Sequence, residues 1–164
     1  MEDSRRAFIN IITGGINTGK TKKLLSTYHE IGQGDGFIIF KVFDGGLYIG
    51  QRIMRLSTSE SENFSFKEGF IPINWDEEYR YDVYSFSKKG LMFAHKTISD
   101  ILERGIDPVF IDEIGPLELQ KKGFFNIFRA LIKMEKDIYV TVRSSCVENV
   151  IKEFKIGKYK MIMD

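Results

Sequence analysis

Residues 14–21 read Gly14-Gly15-Ile16-Asn17-Thr18-Gly19-Lys20-Thr21, the pattern G-x-x-x-x-G-K-T. Its glycines let the backbone curl until successive N–H groups point at one anion, a geometry made where a strand runs into a helix. The flanks agree. Ala7-Phe8-Ile9-Asn10-Ile11-Ile12 is a short apolar run suited to a buried parallel strand. Thr21 to Tyr28 place Leu24, Leu25 and Tyr28 on one side of a helix. Strand, glycine loop and helix together make residues 14–22 a phosphate cradle. Gly14, Gly15, Ile16, Asn17, Thr18 and Gly19 supply the loop, and Lys20 reaches the β- and γ-phosphates. Thr21 offers a hydroxyl to Mg²⁺, and Lys22 adds positive potential. The ligand implied is a nucleoside triphosphate, ATP or GTP, with Mg²⁺.

The rest of the chain alternates strand and helix signals. Gly36–Phe43 is a strand candidate, followed by a turn at Asp44-Gly45-Gly46. Leu47–Leu56 could supply two short strands around Gly50. Ser57–Asn63 reads as an exposed polar loop tip, and Tyr79–Phe86 as a strand, with Tyr79-Arg80-Tyr81 a hairpin or edge-strand candidate. Leu91, Ala94, Ile98, Ile101 and Leu102 mark a helix ending near Gly105. Pro108–Asp112 and Ile138–Val142 read as strands around a helix carrying Phe124, Ile127, Phe128, Leu131 and Met134. Val147, Val150, Ile151 and Phe154 mark a last helix with Ser145 as its N-cap, and Tyr159–Met163 a closing strand. The fold class expected is a three-layer α/β/α P-loop domain over residues 1–164. Its sheet is mostly parallel, with a β-rich insertion over about residues 44–85, too long for an ordinary loop.

Phe110-Ile111-Asp112-Glu113 is an apolar strand ending in two acids, the Walker B arrangement. Asp112 would hold Mg²⁺ through water, and Glu113 would polarise an attacking water. Both motifs fall at the carboxyl ends of strands, where open α/β sheets bind ligands. Charge spreading over a γ-phosphate calls for a further cation. Arg143, just past a strand on that edge, and Arg52 are preferred over Arg55. Phe64, Phe66, Phe70 and Trp75 could stack on a nucleobase or cover the site, but they better suit a satellite core beneath the insertion. His29 and His95 lack ligand-like neighbours, and Cys146 lacks an acid–base partner.

Composition narrows the partners. A formal net charge of +1 gives no basic field for an obligatory polyanion, which leaves nucleic-acid contact open but not indicated. One cysteine forbids an intrachain disulfide. Met1–Arg6 opens no secretory signal, and no apolar run approaches a membrane span. A cytoplasmic location is expected. Oligomeric state is not readable.

The segment Phe110-Ile111-Asp112-Glu113-Ile114-Gly115-Pro116-Leu117-Glu118-Leu119 resembles the D-E-I-G-x-M-E-L segment of the THEP1-like nucleoside-triphosphatase family. Gly50-Gln51-Arg52-Ile53 falls where that family carries G-R-R-x-G-F. Val140-Thr141-Val142-Arg143 falls where it has a strand ending in a basic residue. The resemblance implies a RecA-like fold, Lys20, Thr21, Asp112 and Glu113 as matching catalytic positions, and Arg143 as the assisting cation. The chain departs from the family at Gly15-Ile16-Asn17, Lys22, Gln51, Pro116 and Leu117.

The function expected is Mg²⁺-dependent hydrolysis of a γ-phosphate by a Glu113-activated water. A small nucleotide or polynucleotide kinase is the alternative, disfavoured because Ser57–Asn63 lacks the arginines of a kinase lid. A nucleotide-gated binding protein with slow hydrolysis is another.

Overall fold

The computed structural model describes residues 8–163, so Met1–Arg6 and the first residue of the expected opening strand, Ala7, lie outside it. Among the described residues, one nine-stranded sheet runs through the molecule. Five neighbouring strands are parallel: β2 (Asp35–Asp44), β7 (Val109–Ile114), β8 (Ile138–Arg143), β1 (Ile9–Gly14) and β9 (Tyr159–Met163). Four more extend the sheet antiparallel: β3 (Leu47–Arg55), β4 (Ser61–Lys67), β6 (Tyr84–Ser87) and β5 (Glu77–Tyr81).

Helices cover both faces because the buried parallel strands are apolar on both. On one face α1 (Lys20–Ile31) sets Leu24 against Ile12, Ile38 and Phe110. The other face carries α2 (Lys88–Glu103), α4 (Phe125–Lys133) and α5 (Val147–Glu153), packed through Ala94, Ile98, Phe128 and Val150. A short helix, α3 (Pro116–Leu119), links β7 to α4. Each fully buried side chain such as Phe37, Phe110 or Leu131 contributes about 1.5–3 kcal/mol by leaving water.

The insertion differs from its sequence reading. Leu47–Arg55 is one strand; its irregularity is a register shift at Gln51/Arg52 against β4. Ser57–Glu60 form the exposed turn expected, but Ser57 anchors it on the buried Asp35 through its amide and its hydroxyl, 3.0 and 2.6 Å, and Ser61–Asn63 already belong to β4. Tyr79–Phe86 is a hairpin, β5 to β6, rather than one strand. The aromatics split. Phe64 joins the main core, stacked on Phe124 at 5.4 Å, whereas Phe66 packs edge-on against Trp75. Ser145 does not cap the last helix; a 3-10 turn over Ser144–Cys146 leads into Val147 with no side-chain cap.

Candidate active site

The phosphate loop joins β1 to α1 on the carboxyl edge of the parallel strands. Asn17 and Gly19 both adopt left-handed backbone, φ 57° and 100°. Gly19, the residue before α1, tolerates that conformation because it has no Cβ. Lys20 Nζ and Thr18 Oγ1 both donate to the Gly15 carbonyl, so the ammonium lies across the mouth of the loop. Ile16, Asn17, Thr18 and Lys22 are exposed.

Asp112 is fully buried beside this loop. Its Oδ2 accepts from Thr21 Oγ1 and from the Ile39 amide, each at 2.9 Å, and its Oδ1 from Thr141 Oγ1 at 2.5 Å. Burial pushes the carboxyl up from its ordinary range, and the three donors oppose that rise. No arginine or lysine pairs with it among the described residues. A buried carboxylate of this kind calls for a cation. Thr21 commits its proton to Asp112, which leaves the hydroxyl lone pairs free for a metal. The pair therefore fits Mg²⁺, which needs few protein ligands beside substrate phosphates.

Glu113 sits in a β-bulge. Ile111 pairs with Val140 and Ile114 with Val142, so Asp112 and Glu113 together face Thr141. Glu113 takes φ 62°, a conformation that a non-glycine residue adopts at a price in strain, and its amide donates to Thr141 Oγ1 at 2.7 Å. The bulge turns the side chain out of the core and leaves it exposed. Protein packed around it, then Asp112 and Glu118, raise its carboxyl above the ordinary range, while Gln51 and Arg143 pull it down. Water reaches the side chain and screens these charges.

Arg143 ends β8 opposite Gly14, the first loop residue, and is exposed. Arg52 is engaged elsewhere: its guanidinium donates to Ser61 Oγ at 3.2 and 2.9 Å and to Asn63 Oδ1 at 2.5 Å. Arg55 bridges Asp35 and Asp100 at 2.8 and 2.6 Å, at the far end of β2. His29 and His95 lie on exposed helix faces, and Cys146 is buried. A cleft lined by Ile9, Ile132, Lys155 and Lys158 contains none of the site residues.

Four participants escaped the sequence reading. Thr141 carried a signal: a small hydroxyl side chain between two valines, in period two with Arg143. Gln51, 3.5 Å from Glu113 Oε2, and Lys41, bonded to Asn17, come from the β2–β3 hairpin, whose register no local pattern announces. Glu118 is buried and accepts the Gly115 and Phe124 amides at 2.8 and 2.9 Å, which holds the chain leaving β7. Gly123, φ 60°, is required there, since a Cβ would collide with that carboxylate.

A glycine loop closing on α1, with a buried acid aimed at the hydroxyl that follows its lysine, defines a P-loop nucleoside triphosphatase. The profile of the NTPase family matches residues 10–163, and the chain belongs to that THEP1-like family of hydrolases acting on nucleoside triphosphates. It is 26% identical over 149 residues to the nucleoside-triphosphatase THEP1 of Methanocaldococcus jannaschii, covering 88% of this chain and 81% of that one. The THEP1 of Saccharolobus solfataricus is 28% identical over 144 residues, covering 84% and 77%. The crystal structure of THEP1 from the hyperthermophile Aquifex aeolicus superposes with a TM-score of 0.73 at 21% identity. That match covers 95% of this chain and 89% of that one, and it bears on the fold. Among the described residues, no helix is long and apolar enough to cross a membrane.

Proposed function

We propose that this chain hydrolyses the γ-phosphate of ATP, GTP and other nucleoside triphosphates with Mg²⁺, using water activated by Glu113. The hydrogen-bonded run Thr21–Asp112–Thr141–Glu113 carries the reading, because it ties the phosphate loop, the metal-binding acid and the base into one constellation. Mg²⁺, held by Thr21 and through water by Asp112, would neutralise charge on the β- and γ-oxygens. The loop amides and Lys20 bind the phosphates. Glu113, turned outward by its bulge, takes the water's proton; a carboxyl held above its ordinary range is a stronger base once ionised. Arg143 is the better placed of the two arginines to face the developing charge, since Arg52 would have to leave Ser61 and Asn63.

The test is phosphate release from ATP, GTP, CTP and UTP with Mg²⁺, wild type against Glu113→Gln. Expected is nucleotide binding kept and turnover lowered by about 10²-fold or more. Equal turnover removes Glu113 from the mechanism. Binding without release in the wild type favours a kinase or a nucleotide-gated binder, to be separated by acceptor and partner screens.

A further inference from the structure

The β2–β3 hairpin overhangs the phosphate loop. Ile39 gives its amide to Asp112, and two residues on, along the same face of β2, Lys41 donates from Nζ to the side-chain oxygen of Asn17. The register partner of Lys41 on β3 is Gln51. Gln51 is anchored by Ser65 Oγ, which donates to its Oε1 at 2.9 Å, and its nitrogen lies 3.5 Å from Glu113 Oε2. Paired residues of an antiparallel ladder share a face. One face of the hairpin thus holds a cation at the loop and an amide at Glu113.

Among the described residues no salt bridge neutralises Lys41. Its partners are a neutral amide oxygen and the Tyr48 ring, whose centroid lies 5.1 Å from Nζ, and a phosphate oxygen outcompetes both because it is an anion. The loop that Asn17 belongs to wraps the phosphates. A cation beside Asn17, on the side facing Gln51 and Glu113, borders the bond that breaks.

We propose that Lys41 turns from Asn17 onto the triphosphate and contacts it in the transition state, as a lysine supplied by the chain's own hairpin. This rests on the hydrolytic reading above. In that step the water oxygen bonds to the γ-phosphorus while the bond from that phosphorus to the β–γ bridging oxygen breaks. The water's proton passes to Glu113, and the diphosphate leaves with the electron pair. Charge spreads over the equatorial oxygens of the transferring phosphoryl group, where the ammonium stabilises it.

The experiment compares wild type, Lys41→Met and Lys41→Arg in kcat and KM, and in affinity for the nucleoside diphosphate with and without aluminium fluoride. Tyr48 keeps a cation in either variant, because Lys67 lies 4.4 Å from its ring centroid. Lys41→Met is expected to lower kcat by about 10²-fold and to weaken the fluoride complex by about tenfold or more. Affinity for the diphosphate alone should stay within about threefold, and Lys41→Arg should recover most of both losses. Unchanged turnover and fluoride affinity in Lys41→Met overturn the proposal. So does equal weakening with and without fluoride, which would mean that Lys41 only shapes the loop. A wild type without turnover overturns the hydrolytic reading instead, and the fluoride affinities still decide Lys41.

Discussion

Thr141 Oγ1 lies 2.5 Å from Asp112 Oδ1 and also accepts the Glu113 amide at 2.7 Å. A hydroxyl has one proton to give, so it donates to the acid and accepts from the amide. One side chain therefore fixes the Asp112 carboxylate and the Glu113 backbone, the proposed metal ligand and the proposed base. Thr141→Val keeps the shape and removes both bonds. It should destabilise the fold by about 1–3 kcal/mol in urea denaturation and lower kcat, while Thr141→Ser retains both properties. A valine variant as stable and active as the wild type would show that Thr141 merely fills space.

Glu113 has the strained backbone of the bulge, φ 62°, and lies beside two other carboxylates that raise its pKa. Both features oppose stability, and in the proposed mechanism they serve the base. Glu113→Gly removes the like charge and relieves the left-handed strain. The variant is expected to melt at or above the wild-type temperature while losing γ-phosphate hydrolysis. A clear fall in Tm would mean that the bulge is held by the Glu113 side chain.

The phosphate loop, the acidic strand end and the alternation of strands and helices were legible because each is local. Gly19, Lys20 and Thr21 are consecutive, and Val109–Ile111 is an apolar run. The bulge was not legible. Its cause is Thr141, 28 residues from Glu113, and a two-against-one pairing leaves no mark on β7 alone. The strand bounds of the insertion were hidden for another reason. β5 forms a sheet edge, with Glu77, Glu78 and Arg80 exposed, so polarity masks where it begins. Ser57 likewise looks like solvent-facing polarity, and its hydroxyl is spent on the buried Asp35.

Arg55 was one of three arginines weighed for catalysis, and the structure gives it a structural task. It bonds Asp35, which no solvent reaches, at the start of β2, the opposite end of that strand from the phosphate loop. Arg55→Met strands a buried carboxylate, a loss of about 3–5 kcal/mol. Turnover per folded molecule should stay near wild type. Arg143→Met should do the reverse, leaving the melting temperature in place and slowing hydrolysis. Denaturation and phosphate release measured on both variants decide the pair; a stable, inactive Arg55→Met would return Arg55 to the site.

Glu118 makes stability depend on pH with an unusual sign. Burial raises its carboxyl from an ordinary 4.5 to about 7, against the amides of Phe124 and Gly115 that favour the ionised form. The folded state thus binds the proton more tightly than the unfolded chain. Stability from this group is complete below pH 4.5, falls as pH rises toward 7, and levels off above that. The full swing is on the order of 3 kcal/mol. Glu118→Gln removes the titration and, since an amide NH₂ cannot accept, leaves the Gly115 or the Phe124 amide without its partner. That variant should be less stable than the wild type by about 1–3 kcal/mol at pH 5, with the gap narrowing toward pH 8. Urea denaturation of both proteins across that range checks it. A gap that stays constant across that range would mean that Glu118 is ionised throughout, its two backbone donors outweighing its burial.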